Sequence, residues 1–337
     1  MRSVVTGIVM TAGLAASLVA QDYRAYQNYD FVAGDKILFE DDFRDAQDGE
    51  FPARWKLRKG QAVVNKVDGE PALLLTDGNY AEVEPRIRGN AYLPDTFTIE
   101  LDFYPKAGGF EKIGVMLTNG DTDHNVFFGS DVNTENTEHD LSASYPGGSD
   151  AWDNKWHHLA LVYKAGQLKA YEDQSRVLVA PDFGEGFQPK SVYFAGIGET
   201  DNPLIFRNVR IAAGGAMNVI QTLTRDGKVV SHILFDVNSS TVKPQSMGAI
   251  MDIVKALKSD ASLKLEIGGH TDSDGDAAKN LALSESRAAA IKKLMVDQGI
   301  DAGRLTTKGY GATKPLAPNN SPENKANNRR VEFTKIA

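Results

Sequence analysis

Gly269-His270-Thr271-Asp272, then Asn280, then Leu283-Ser284-Glu285-Ser286-Arg287-Ala288, is the stretch on which the reading of this 337-residue chain turns. The alternating run Leu263-Lys264-Leu265-Glu266-Ile267 just before it predicts a strand. Leu283, Ile291 and Leu294 fall at helical spacing and predict a helix that stops at Gly299. Asp272 therefore sits at the end of a strand, and Arg287 about two turns into the following helix, both facing the loop between them. A carboxylate and a guanidinium held that way are ill suited to breaking bonds. They suit a zwitterion with an ammonium at one end and a carboxylate at the other.

The flanks extend this into a domain. Ile233-Leu234-Phe235 predicts a first strand, and Pro244 opens a helix with Met247, Ile250, Val254 and Leu257 on one face. Val331-Glu332-Phe333 predicts a closing strand. Strands alternating with helices define a small α/β domain over 227–337, a mixed sheet with helices on one face.

The other half has a different period. Phe97-Thr98-Ile99-Glu100-Leu101-Asp102-Phe103 alternates with period two, and Leu159-Ala160-Leu161-Val162-Tyr163 is a short apolar run. The turn Lys164-Ala165-Gly166-Gln167 leads into Leu168-Lys169-Ala170-Tyr171; Val192 to Ala195 and Phe206 to Ile211 follow in the same style. Turn clusters at Lys106-Ala107-Gly108-Gly109 and Tyr145-Pro146-Gly147-Gly148 separate such runs. This predicts an all-β antiparallel sandwich (a jelly roll) over 21–212. Ala212-Ala213-Gly214-Gly215-Ala216 opens a linker over 213–226.

Composition narrows the function. A net charge of -8 gives no basic face for nucleic acid. Residues 1–20 begin with Arg2 and continue as an apolar run ending at Ala20-Gln21, too short for a spanning helix; they read as a secretory signal peptide. No transmembrane span is expected in the mature chain. Cysteine is absent, which excludes disulfides, thiolate metal sites and lipid anchoring through an acylated cysteine.

From about Gly227 to Ile336 the chain resembles the OmpA-like, peptidoglycan-associated C-terminal domain of Gram-negative envelope proteins. The matching residues are Ile233-Leu234-Phe235-Asp236 with Asn238-Ser239 and Pro244, Gly269 to Asp272, Asn280, Leu283-Ser284 and Arg287-Ala288. Gly299-Ile300, Gly309-Tyr310-Gly311 and Asn328-Arg329-Arg330-Val331-Glu332 follow in order. Asn324-Lys325 departs from the family's Gly-Arg pair, and Ser286 stands where a second charge is common. The resemblance implies that Asp272 and Arg287 grip the diaminopimelate of the peptidoglycan stem. Asp272 would take its ammonium and Arg287 its carboxylate through two parallel N–H···O bonds. Groups near Thr271 and Leu283 would complete the shell, with Phe235 and Asp236 walling the pocket. Asn280 and Ser284 are expected to brace the loop, Arg329 and Arg330 to form a rim or an ion pair, and His270 to pack.

Trp156-His157-His158 through Tyr163, with Gly166, Leu168 and Tyr171, resembles the laminin-G or concanavalin-like sandwich, as does Phe39-Glu40-Asp41-Asp42-Phe43. Such sandwiches bind sugars, proteins or nothing, so the fold leaves function open. Sandwich glycosidases carry a Glu-x-Asp-x-x-Glu strand. Glu100-x-Asp102 begins that pattern, but Pro105 stands where the third acid should be, and nothing positions Glu82 or Glu84 in its place. Acid-rich loops at Asp121-Thr122-Asp123 and Asp131 to Asp140 are oxygen-rich enough for calcium but read as solvated. Adjacent His157 and His158 face opposite sides of a strand and make no metal pair. Core packing is expected of Trp55 and Trp156, while Trp152 stays open as a sugar-stacking surface with Tyr145.

The expectation is a non-enzymatic periplasmic protein without cofactor or metal, attached to peptidoglycan and associated with the outer membrane. Its sandwich would be a structural module or meet outer-membrane proteins or glycans. The alternative is a carbohydrate-binding or glycoside-hydrolysing sandwich that uses the wall domain as a tether. A motor-stator or secretion-system part would call for a transmembrane helix after residue 20, and the sequence has none.

Overall fold

The computed structural model describes residues 29–76, 80–108, 112–137, 140–146, 151–215 and 219–337. The signal peptide expected over 1–20 lies outside them, as do Gly109, Gly147-Gly148, part of the 131–140 loop and Ala216 of the linker.

Two antiparallel sheets form the N-terminal half. With strands numbered in chain order, one runs β13 (Ser175–Ala180), β12 (Gln167–Glu172), β11 (His157–Lys164), β6 (Thr96–Tyr104), β15 (Leu204–Ala213), β4 (Glu70–Leu75), β3 (Ala62–Val67). β1 (Lys36–Asp41) pairs with the stretch of β15 that follows its pairing with β4. The other runs β10 (Ser142–Ser144), β9 (Asp131–Glu135), β8 (Asp123–Phe128), β7 (Ile113–Thr118), β14 (Ser191–Ile197), β5 (Tyr80–Pro85), β2 (Trp55–Lys59). Period-two alternation dictates this packing. Phe97, Ile99, Leu101 and Phe103 of β6 point into the core between the sheets, while Thr98, Glu100 and Asp102 point out. Trp55 is the hub of that core. Its ring lies 5.4–6.0 Å from those of Phe39, Phe43, Phe194 and Phe206, and its Nε1 donates to Asp41 Oδ2 at 2.9 Å.

The other two tryptophans exchange the roles expected of them. Trp152 is fully buried and stacks on His157 at 4.0 Å, because the loop carrying it folds back over the end of β11. Trp156 lies outside the core, half-buried, with Arg207 3.8 Å above its ring and Tyr104 against its edge. A residue preceding the first paired position of β11 is not bound by the strand's alternation.

The C-terminal half is a four-stranded mixed sheet ordered β16 (Lys228–Ser231), β19 (Val331–Ile336), β17 (Lys264–His270), β18 (Leu305–Gly311). Only β17 and β18 run parallel. Helices α1 (Val219–Asp226), α2 (Met247–Ser259) and α3 (Ala277–Asp297) supply the apolar side chains that cover Val229, Leu265, Ile267, Leu305, Val331 and Phe333. Asp276 caps α3 by accepting from Lys279 N at 2.9 Å.

Two local differences from the sequence reading bear on the site. Within 213–226, β15 continues through Ala213, and α1 packs Val219 and Leu223 into the α/β core. The edge strand is Lys228–Ser231; Ile233-Leu234-Phe235 is not a strand. Leu234 N donates to Ser246 Oγ at 2.7 Å, Lys243 N donates to Leu234 O at 2.8 Å, and Phe235 bridges Val242 alone. Those bonds turn the chain off the sheet, so an apolar run that looks like a strand becomes a wall.

The halves meet over a specific surface. Asn327 of α4 (Pro322–Asn328) accepts from Ile37 N at 2.9 Å and donates to Ile37 O at 3.1 Å, blocking the open edge of β1. Arg54 pairs with Glu323, and Ala326 packs with Ile37 and Ala212. Val32 belongs to the α/β core, and a Cβ on Gly248 would overlap the carbonyl of Phe31.

Candidate functional site

β17 delivers Asp272 to the mouth of a cleft. Thr271 N donates to Gly311 O at 3.0 Å, Thr271 Oγ1 donates to Asp272 O at 2.8 Å, and Asp272 Oδ1 accepts from Asp274 N at 3.1 Å. Asn280 Nδ2 donates to Asp274 O at 2.8 Å and so ties the loop to α3. Ser284 is buried where α3 meets the sheet: its Oγ accepts from Gly311 N at 2.9 Å. A Cβ on Gly269 would overlap the Ser284 carbonyl, so the glycine lets α3 lie directly on β17.

Arg287 projects from α3 nearly three turns in, rather than two, because Asp276 caps the helix early. Its guanidinium lies 4.7 Å over the Phe235 ring, and Nε donates to Ser239 O at 3.0 Å. It pairs with no carboxylate among the described residues. Burial and the neighbouring Arg329 cation lower its pKa, with Asp272 opposing them.

Asp272 is engaged elsewhere. Its Oδ2 lies 2.7 Å from Nη1 of Arg329, and Nη2 of the same guanidinium pairs with Glu40 of the sandwich. Glu40 Oε1 in turn accepts from Arg210 Nε at 3.0 Å and Nη2 at 2.5 Å. Burial opposes ionisation of Glu40, but Arg210 and Arg329 overcome it and hold its carboxyl down to about 2. Arg330 faces the same cleft but is committed to structure. It pairs with Glu332 at 2.7 Å and donates to the carbonyls of Asn328 and Lys314.

The cleft holds about 120 Å³ of free space, with Phe235, Arg287, Arg329, Arg330, Arg210 and His232 in its wall. Of the residues singled out from sequence, Phe235, His270, Arg287, Arg329 and Arg330 line it. Asp272 and Thr271 stand beside it at the end of β17. Asp236 is exposed on the turn beyond Phe235, and Leu283 is half-buried on α3 near Ser284. Glu40, Arg210 and His232 were not foreseen. His232 Nε2 contacts Asp35 O at 3.0 Å, and burial, then Arg210, lowers its pKa. An aligned pair Glu40↔Arg210 across β1 and β15 is the signal that pairing of those strands would have provided.

A second charged cluster lies on the outer face of the sandwich, where β11 and β15 flank β6. His158 Nδ1 is 2.9 Å from Asp102 Oδ1 and its Nε2 is 3.4 Å from Glu100; Asn208 Nδ2 donates to Asp102 Oδ2 at 2.6 Å. Burial disfavours the imidazolium, yet Asp102 and Glu100 outweigh it and raise His158 to about 9. The two acids that begin a glycosidase pattern are thus both occupied by one histidine.

Residues 234–329 match the family model described as the OmpA family, so the α/β domain is an OmpA-family domain. The Photosystem I P700 chlorophyll a apoprotein A2 of Gloeobacter violaceus is 45% identical over 108 residues, 30% of this chain and 12% of that one. The probable lipoprotein YiaD of Escherichia coli K12 is 35% identical over 118 residues, 34% of this chain and 54% of that one. The peptidoglycan-associated lipoprotein of Pseudomonas putida is 34% identical over 108 residues, 32% of this chain and 64% of that one. The chain thus spans less than two thirds of each of these relatives. The crystal structure of the peptidoglycan-associated lipoprotein from Burkholderia pseudomallei aligns at 28% identity over 31% of this chain and 88% of that one, with a TM-score of 0.29. No helix among the described residues is long and apolar enough to cross a membrane.

Proposed function

We propose that this protein binds peptidoglycan non-covalently through the diaminopimelate of the peptide stem and holds its β-sandwich at the wall in the periplasm of a Gram-negative envelope. The supporting observation is Arg287, a guanidinium fixed over Phe235 by one carbonyl contact and without a carboxylate partner among the described residues. A ligand carboxylate supplies that partner, and Asp272 receives the adjoining ammonium in exchange for Arg329. Charge-assisted bonds of this kind contribute about 1.5–3 kcal/mol each, so one stem is held modestly. Many copies facing a repeating polymer are retained by avidity. The matched peptidoglycan-associated lipoprotein agrees in name with this ligand. Glu100 and Asp102, tied to His158, favour binding over glycoside hydrolysis as the role of the chain.

Co-sedimentation of residues 21–337 with purified sacculi tests the reading. The unmutated protein should pellet. Arg287→Ala should lower affinity by at least about 100-fold, the loss of two charge-assisted bonds, while retaining its circular dichroism spectrum and melting temperature. Full retention of pelleting by Arg287→Ala would show that the site lies elsewhere.

A further inference from the structure

Arg329 is one guanidinium shared by two carboxylates from two domains: Nη1 on Asp272 at 2.7 Å, Nη2 on Glu40. Glu40 is itself fixed, because Arg210 holds its other oxygen through two nitrogens and Arg54 Nη1 donates to its carbonyl at 2.5 Å. When a ligand ammonium arrives at Asp272, it competes with Arg329 for the same oxygens. Arg329 also stands close enough to Arg287 to disfavour its charge. Were Asp272 its sole partner, Arg329 would remain there and the ammonium would meet a neutralised carboxylate beside two cations. Glu40 gives Arg329 an anchor that survives the exchange and screens the arriving ammonium from it. Every residue supplying this anchor belongs to the sandwich.

We propose that Glu40 is a positioning residue of the wall-binding site: it retains Arg329 while Asp272 passes to the ligand's ammonium, which makes the sandwich part of the receptor. This rests on Asp272 and Arg287 as the ligand's ion-pair partners. It carries a reciprocal consequence. Because ligand binding shifts Arg329 toward Glu40, occupancy of the site strengthens docking of the sandwich by the same factor that docking strengthens binding.

The test is calorimetric titration of the full chain with a diaminopimelate-containing stem tripeptide and with the same tripeptide acetylated on its free side-chain amine. Glu40→Gln should weaken the tripeptide about tenfold and leave the acetylated peptide unchanged, since the latter has no ammonium to displace Arg329. With Arg329 intact, Glu40→Asp should lose less affinity than Glu40→Gln; in an Arg329→Gln background Glu40→Gln should have no effect. Equal weakening of both peptides, no weakening of either, or the same loss in the Arg329→Gln background would overturn the proposal. Arg287→Ala run alongside separates the two readings. If that variant binds the tripeptide normally, the underlying site assignment has failed, whatever Glu40 does.

Discussion

The outer face of the sandwich and the cleft of the α/β domain are both crowded with charge, and they differ in one respect. On the sandwich, His158 lies between Glu100 and Asp102, and Asn208 adds a third contact, so each carboxylate is paired with a cation within the cluster. In the cleft, Asp272 and Arg329 are paired, but among the described residues Arg287 has a carbonyl and an aromatic face and no carboxylate. Paired charges on a rigid sheet hold a structure together. A cation left with only weak partners beside open space is available to a ligand. The number of carboxylates near each site does not distinguish them; what each carboxylate already holds does.

The comparison breaks most severely at the sandwich core. Trp55→Ala removes the ring on which Phe39, Phe43, Phe194 and Phe206 converge. It should cost about 3–5 kcal/mol in chemical denaturation. If the halves carry separate tasks, α3 should keep its hydrogen-exchange protection in that variant; simultaneous loss there would mean the two cores unfold as one.

The next effect lies in the paired cluster. His158 has a folded pKa near 9 against an unfolded value of 6.5. The folded state therefore binds the extra proton, and its stabilisation is complete below pH 6.5 and lost as pH rises through 9. The shift corresponds to an upper bound of about 3 kcal/mol. Melting temperature should fall across that window, and His158→Gln should flatten the profile. A wild-type profile already flat there would show that the imidazole is not charged in the folded protein.

The smallest effect probes the surface joining the regions. Asn327→Ala removes two hydrogen bonds to the backbone of buried Ile37 and should cost about 1–3 kcal/mol. Exchange of the Ile37 amide should accelerate while those of β17 stay protected. Unchanged exchange at Ile37 would mean that the edge of β1 is covered by something other than Asn327.

Much of the α/β domain was legible because its signals are local. Met247, Ile250, Val254 and Leu257 recur at the helical period and are all buried on α2, and the alternation at 263–267 became β17. Ile233-Leu234-Phe235 misled because an apolar triplet carries no information about whether Ser246 and Lys243 will divert its backbone bonds. The two misplaced tryptophans share that cause. Trp152 is buried by the course of a loop, and Trp156 is left out of the core by standing one position before β11.

The sequence by itself determined the two periodicities, hence the two folds, and it placed an acid at the end of the strand before one loop and an arginine on the helix after it. Those properties depend on residues near each other in the chain. Tertiary structure alone decided which charges are spent: Glu40 reaches Arg329 across 289 positions, and Arg210 reaches Glu40 across 170. Coulombic pairing depends on distance through space, and only the docking of β1 and β15 beside α4 and β17 brings those groups within ion-pair range.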